Sequence, residues 1–140
     1  MIERNLVIVI VENSSKQMLV HQRKKDRKMF PSRYGLGAGG KINTGETPEQ
    51  AGKRELKEEL GIESEVEKLF EIEFMSKNYH DIVHFYRTTY EGGINPCERE
   101  FESGSARWMD KNQTDFLSEK QLLCPDTNIG YIFYKIKYKR

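Results

Sequence analysis

One segment of the sequence carries both a start signal and a stop signal for a helix of defined length. Thr47 can act as an N-cap, Pro48 occupies the first helical position, and Gln50 can complete a capping box with Thr47. Gly61 provides the stop, because glycine readily adopts the left-handed conformation that terminates many helices. The sequence therefore predicts a helix from Pro48 to Leu60.

Three glutamates lie on one side of this predicted helix. Glu58 and Glu59 follow Glu55 by three and four positions, so the carboxylates are expected to converge. Like charges at these spacings destabilise a helix by about 0.2–0.5 kcal/mol per pair, so something should compensate for them. Arg54 and Lys57 offer one compensation, a solvated face of ion pairs. The other is a hard divalent cation, Mg²⁺ or Mn²⁺, which binds carboxylate oxygens and recruits substrate phosphates.

The backbone before the helix is rich in glycine, with Gly37, Gly39, Gly40 and Gly45. Such a segment can bring amide or carbonyl groups close to a ligand and suits a phosphate chain, although a simple turn explains the glycines equally well. The run GAGG is expected to break any regular element.

The remaining segments alternate between strand-like and helix-like patterns, which favours a mixed α/β sheet covered by helices on its faces. A hairpin is predicted from NLVIVIVEN and QMLVHQR, its first strand buried on both faces. Further strands are predicted at Leu36, in EVEKLFEIEFMSK and IVHFYRTTYE (paired through NYHD), and in SARWM. Helices are predicted in TDFLSEKQL and TNIGYIFYKIKYKR; Thr127 would cap the latter, whose alternation also allows a strand. No linker divides the chain, so a single domain over residues 1–140 is expected.

Charge and composition narrow the classes of partner. The 23 Lys and Arg against 22 Asp and Glu give no global attraction to nucleic acid or acidic lipid, so neither partner is expected. The most apolar run, Leu6 to Val11, is far shorter than the roughly 20 residues of a membrane span. No signal-type segment is recognisable at the amino terminus, and a soluble cytoplasmic protein is predicted. Cys97 and Cys124 lack metal-type spacing and are expected to be reduced thiols.

The segment from Gly40 to Ile62 resembles the signature of the Nudix hydrolase family. Gly40 is followed, after five residues, by Glu46 and, after seven more, by the run RELKEELGI, which begins at Arg54. Every specified position of the Nudix pattern is filled. The resemblance implies a Nudix-type α/β/α sandwich with a mixed β-sheet.

The same resemblance assigns roles to individual residues. The expected metal ligands are oxygen atoms of the three glutamates and a backbone carbonyl: Glu55, Glu58, Glu59 and Gly40. Mg²⁺ is the expected metal, with Mn²⁺ as an alternative. Arg54 would orient the glutamates, and Glu46 would be a structural group or a group that supports the metal ligands. Gly39 and Gly40 are also expected to contact the substrate.

The activity implied by the resemblance is Mg²⁺-dependent hydrolysis of a diphosphate linkage. The substrate would be a nucleoside diphosphate joined to another group, or a related organic diphosphate, and the protein a monomer or homodimer. The catalytic glutamates would be Glu55, Glu58 and Glu59, and the general base stays open between Glu58, Glu59 and an acidic cluster of Glu98, Glu100 and Glu102. Glu102 is the best match in that cluster, because Nudix relatives commonly carry a glutamate a few residues before a tryptophan such as Trp108.

Two other functions stay open. A non-catalytic Nudix domain could bind a diphosphate ligand as a sensor, but it would not need all three glutamates. The segment LVHQRKKDRKMFPSRYGLGAGG also resembles the branch related to isopentenyl-diphosphate isomerase, yet YGLGAGGK lacks the cysteine which that isomerase requires. The basic residues of this segment suit phosphate contacts or an exposed loop, and Arg23 and Arg33 are the candidate substrate ligands.

Overall fold

The two longest strands, β1 (Ile2–Glu12) and β6 (Tyr79–Thr89), run parallel in the middle of a seven-stranded sheet. The structure, a computed structural model, describes residues 1–140. Alternate side chains of β1 point to opposite faces, and both faces are buried: Val7, Val9 and Val11 on one, Ile8 and Ile10 on the other. The predicted burial of this strand on both faces is therefore confirmed.

Antiparallel neighbours complete the mixed sheet on both sides of this central pair. On one side β5 (Glu67–Met75) pairs with β6. On the other side β2 (Met18–Gln22) forms a hairpin with β1 and then diverges from it, carrying β3 (Tyr34–Leu36) and β7 (Arg107–Met109) as its own neighbours. The edge of β1 left open by this divergence is taken by β4 (Ala38–Lys41).

The strand β4 contradicts the prediction that GAGG breaks regular structure. Ala38 to Lys41 pair in antiparallel register with β1, Lys41 opposite Leu6 and Ala38 opposite Val9. The break is confined to Gly37, whose φ of +57° turns the chain from β3 into β4. The strand forms because a partner edge with free hydrogen-bonding groups is present, and that partner is distant in sequence.

Helices cover the two faces of the sheet. The helix α1 (Pro48–Leu60) packs Ala51, Leu56 and Leu60 onto the valine face of β1. The helices α2 (Lys111–Glu119) and α3 (Pro125–Tyr138) cover the opposite face, where Tyr131 and Tyr134 are fully buried. The predicted α/β/α sandwich with a mixed sheet is confirmed. None of the three helices combines the length and apolarity that a membrane crossing demands.

The helix ends follow local capping chemistry. The predicted bounds of α1 are confirmed, with a complete capping box between Thr47 and Gln50 and a left-handed Gly61. The helix α2 starts before the predicted TDFLSEKQL, because Asp110 forms an unforeseen capping box with Gln113. The predicted cap of α3 is wrong: the helix begins at Pro125, and Thr127 lies inside its first turn.

The connection between β5 and β6 is also shorter than predicted. Tyr79 to Asp81, part of the predicted NYHD turn, belong to β6, and the chain reverses over Ser76 to Asn78. The Ser76 N–H donates to the Tyr79 carbonyl at 2.9 Å and closes this reversal.

Candidate active site

A cavity of about 640 Å³ lies beside the acidic side of α1. Its walls come from the first half of β1, from β4, from the loop between β2 and β3, from the chain around Glu100, and from the start of α3. This volume is in the range of cavities that bind small organic ligands. The loop between β2 and β3 contributes basic side chains, and α1 contributes carboxylates. The basic side chains suit a phosphate group, and the carboxylates suit a cation bound to it.

In the box, the segment from Gly40 to Ile62, Glu55 and Glu59 are the two glutamates that line this cavity. They are only 8% and 9% exposed. The Glu59 carboxylate accepts a hydrogen bond from the Gly39 N–H at 2.9 Å. Burial raises the pKa of both groups, that of Glu59 to about 8, and the negative charge of Glu55 raises the Glu59 pKa further. The cavity therefore holds two carboxylates whose ionised forms lack sufficient compensation within the protein.

Gly40 lets the Glu55 carboxylate sit directly against the β4 backbone. A Cβ at Gly40 would lie 2.5 Å from Glu55 Oε1, so any other residue would displace this carboxylate. Gly39 and Gly40 both line the cavity, as expected for residues that approach a ligand through the backbone.

Arg54 ties the box together through its guanidinium group. Its Nε and Nη2 donate to the two oxygens of Glu46 at 2.8 and 3.0 Å. Its Nη1 donates to Glu55 at 2.8 Å and to Glu58 at 3.2 Å, and Nη2 also donates to the Lys41 carbonyl at 3.0 Å. These bonds raise the pKa of Arg54 and fix the orientation of Glu55. The structure thus gives Arg54 and Glu46 contacts that suit the orienting and structural roles implied by the sequence.

Glu58 does not join the other two glutamates in the cavity. Its side chain is 58% exposed, and its one ion pair is with Arg54. No three histidine, cysteine, aspartate or glutamate side chains are close enough together to form a ready metal cluster. The predicted convergence therefore holds in this structure for Glu55 and Glu59, whereas Glu58 lies beside the cavity on an exposed turn of α1.

In the acidic segment before Trp108, Glu100 faces the cavity and Glu102 does not. The Glu102 carboxylate accepts a hydrogen bond from the Lys25 N–H at 3.0 Å and lies off the cavity wall. Glu100 lines the cavity, and its charge contributes to the raised pKa of Glu55 and Glu59. Spacing from the tryptophan could not distinguish the two, because the loop fold decides which carboxylate points inward.

Of the two predicted substrate arginines, one lines the cavity. Arg23 is on the wall, where its Nε and Nη2 donate to the Met29 carbonyl at 3.2 and 2.9 Å. Arg33 lies elsewhere: its Nη1 donates to the carbonyls of Gln121 at 2.7 Å and Leu123 at 3.3 Å. Its contacts hold the start of β3 to the connection between α2 and α3, and it is not part of the cavity wall.

Further charged residues line the cavity, and Arg27, Arg4 and Asp81 among them form ion pairs. Arg27, from the basic loop, forms an ion pair with Glu100. Arg4 and Asp81 form a second pair at the part of the cavity near the start of β1. The only signal that could have found this second pair is the parallel register of β1 and β6, in which Arg4 lies opposite Asp81.

His21, by contrast, adds no positive charge to the cavity. It is buried, its ring is stacked on Phe101 with the centroids 4.0 Å apart, and burial lowers its pKa to about 3. The imidazole is therefore neutral at physiological pH.

The chain is similar to known proteins over most of its length. The model of the NUDIX domain matches residues 3–123. An uncharacterised Nudix hydrolase of Listeria monocytogenes is 44% identical over 61 residues, which are 43% of this chain and 36% of that protein. The 8-oxo-dGTP diphosphatase of Escherichia coli is 34% identical over 111 residues, which are 74% of this chain and 78% of that protein.

Solved structures show the same fold. A MutT protein from Methanosarcina mazei superposes with a TM-score of 0.84 at 16% identity, over 99% of this chain and 97% of that one. At such identity the likeness concerns the fold alone. The family model and the Escherichia coli relative, together with the box that lines the cavity, show that this chain belongs to the NUDIX domain family.

Proposed function

We propose that this chain is a pyrophosphohydrolase that uses Mg²⁺, or Mn²⁺ in its place, to cleave a diphosphate linkage in a nucleotide. The observation that carries the proposal is the pair of buried carboxylates, Glu55 and Glu59, in a cavity that Arg23 and Arg27 also line. Carboxylates with raised pKa values need a cation to stay ionised, and arginines suit phosphate oxygens. The name of the Escherichia coli relative, an 8-oxo-dGTP diphosphatase, supports a nucleotide substrate.

The donor set around the cavity fits a hard divalent cation. Every candidate ligand is an oxygen: the carboxylates of Glu55 and Glu59 and the backbone carbonyl of Gly40. Glu58 is one turn of α1 from Glu55 and is exposed, so its side chain can join the set by a change of rotamer. A cation bound here would neutralise phosphate oxygens and lower the pKa of water in the cavity.

The chain's own side chains would orient the substrate and accept a proton. Arg23 and Arg27 are placed to bind phosphate oxygens, and the Gly39 and Gly40 backbone can approach the phosphate chain closely. We assign the proton acceptor to Glu100, because it lines the cavity, where its ion pair with Arg27 holds it. Glu102, the expected candidate of this cluster, would instead hold the basic loop through Lys25.

We further propose a cytoplasmic location. Cys97 and Cys124 are both free thiols, as is usual for proteins of a reducing compartment. The binding partner would be a small molecule, which would bind in the cavity.

The test is release of phosphate or pyrophosphate by the purified protein in Mg²⁺, in Mn²⁺ and in chelator. The panel comprises nucleoside triphosphates, 8-oxo-dGTP, dinucleoside polyphosphates, ADP-sugars, dinucleotide cofactors and isoprenoid diphosphates. Metal-dependent turnover that is lost in Glu59→Gln and in Glu58→Gln, and kept in the exposed control Glu119→Gln, is the expected result. A silent panel with tight binding of one compound would contradict the proposal and favour a sensor.

A further inference from the structure

The part of the cavity near the start of β1 is built around a rigidly held arginine. Arg4 donates from Nε and from Nη2 to the two oxygens of Asp81, both at 2.8 Å. Its guanidinium carbon lies 3.7 Å from the centre of the Tyr79 ring. The Arg4 and Asp81 side chains are only 15% and 4% exposed. Two hydrogen bonds and one stacking contact therefore fix the plane of the guanidinium group.

This arrangement leaves one nitrogen of Arg4 without an oxygen acceptor. Nη1 has the Met29 sulfur as its one acceptor, at 3.6 Å, and a thioether is a weak acceptor. Both Arg4 and Met29 line the cavity. Replacement of a buried ion pair by apolar side chains of similar size is often neutral for stability, so stability is a weak explanation for this pair. A donor held in a fixed plane at a cavity wall suits recognition.

A carboxylate shares this part of the cavity with Arg4. Asp126, in the first turn of α3, lines the cavity, and its Oδ1 accepts hydrogen bonds from the Thr127 N–H at 2.8 Å and from the Thr127 hydroxyl. Its Oδ2 accepts none. The carboxylate lies close enough to feel its neighbours: burial and then the Asp81 charge raise the pKa of Asp126. The N-terminal end of α3 favours its ionised form.

We propose that Arg4 and Asp126 read the Watson–Crick edge of a guanine base, with Asp81 positioning Arg4. This inference rests on the proposed function, because it names the base of the nucleotide whose diphosphate linkage would be cleaved. Arg4 Nη1 donates to the guanine O6, and the two Asp126 oxygens accept from the guanine N1–H and N2–H. The same edge is present in 8-oxoguanine.

Guanine is the only common base that matches this set of groups. Its edge offers one acceptor followed by two donors, which is the complement of one donor followed by two acceptors. Adenine offers a donor and then an acceptor, cytosine a donor and then two acceptors, and uracil an acceptor, a donor and an acceptor. With any of these bases, Arg4 or Asp126 would be left with an unpaired buried group, which is the strongest source of discrimination available to a binding site.

The test compares kcat/KM for GTP, ITP, ATP and XTP in the wild type and in Asp126→Asn. The wild type is expected to prefer GTP to ATP by about 10- to 100-fold, the discrimination typical of paired contacts to a base edge. ITP, which lacks the N2 amino group, should fall between them. An asparagine offers one donor and one acceptor, so Asp126→Asn should reverse the preference towards XTP, whose O2 replaces the amino group. Structural damage would lower all rates together and could not produce this reversal.

A variant that removes Arg4 must also remove Asp81, because Asp81 would otherwise be a buried charge without a partner. The double variant Arg4→Met/Asp81→Leu replaces both partners with apolar side chains, and its fold is checked by thermal unfolding beside the exposed control Arg99→Leu. The expected result is a loss of the GTP to ATP preference in the double variant and its retention in the control.

A binding measurement tests guanine recognition independently of the proposed hydrolase activity. Calorimetric titration with GDP and with ADP, without hydrolysis, should show the same preference and its loss in Asp126→Asn. Equal binding of GDP and ADP by the wild type, or an equal loss for both in Asp126→Asn, would overturn guanine recognition even if the protein hydrolyses nucleotides. A guanine preference in binding by a protein that hydrolyses nothing would keep the inference and overturn the proposed activity.

Discussion

Replacement of Glu59 by glutamine should stabilise the protein at alkaline pH while it removes activity. Glutamine keeps the shape of the side chain and the oxygen that accepts from the Gly39 N–H, and it removes a charge that is 9% exposed. The Glu59 pKa rises from its ordinary value of 4.5 to about 8, chiefly because burial disfavours the charged form. The folded state therefore binds a proton more tightly than the unfolded state.

The sign of the effect follows from this difference in proton binding. A carboxyl whose pKa is raised on folding makes the free energy of unfolding fall as the pH rises from 4.5 to about 8. At 1.36 kcal/mol per pKa unit, the whole interval corresponds to about 5 kcal/mol. Between pH 5 and pH 8 the wild type should lose about 3–4 kcal/mol more than Glu59→Gln does.

The assay is urea unfolding in chelator at a series of pH values, followed by the fluorescence of Trp108, the one tryptophan of the chain. The difference between wild type and Glu59→Gln isolates this carboxylate from the other titrating groups. Glu58→Gln is the matched control, because Glu58 is exposed and should leave the difference near zero. If the free energy of unfolding fell equally with pH in wild type and Glu59→Gln, the reasoning that ionisation of Glu59 destabilises the folded state would be refuted. Mg²⁺ should restore stability to the wild type at pH 8.

Three further substitutions test the geometry of the site. Gly40→Ala puts a Cβ 2.5 Å from Glu55 Oε1, so Mn²⁺ affinity measured by calorimetry should fall at least tenfold while circular dichroism stays unchanged. Arg54→Lys cannot reproduce the forked contacts to Glu46 and Glu55, so kcat should fall more than tenfold, and an unchanged kcat would remove Arg54 from the orientation of the glutamates. Arg33→Ala should lower the free energy of unfolding by about 1 kcal/mol with KM unchanged, whereas a raised KM would return Arg33 to the substrate site.

The sequence predicted best what local chemistry decides. The bounds of α1 follow from Thr47, Pro48 and Gly61, whose effects act within one turn of the helix. The burial of β1 on both faces likewise follows from a continuous apolar run. The mixed α/β sheet followed from the alternation of strand-like and helix-like segments. The α/β/α sandwich followed from the resemblance of the box to the Nudix family.

Features that depend on distant partners were missed. The strand β4 forms from a glycine-rich run because β1 offers it an edge, which no local pattern reports. Which of Glu100 and Glu102 lines the cavity depends on the path of a loop, and the contacts of Arg33 depend on the distant connection between α2 and α3. In α3, Pro125 starts the helix before Thr127, because proline at the first helical position leaves no amide unpaired.

We propose that Glu55 and Glu59 together hold the divalent cation on which hydrolysis depends. Titration of the protein with Mn²⁺, followed by electron paramagnetic resonance, measures this binding without any substrate. Wild type and Glu119→Gln should bind Mn²⁺ with the same affinity, and Glu59→Gln should bind it at least tenfold more weakly. Equal Mn²⁺ binding by Glu59→Gln and wild type would contradict the claim.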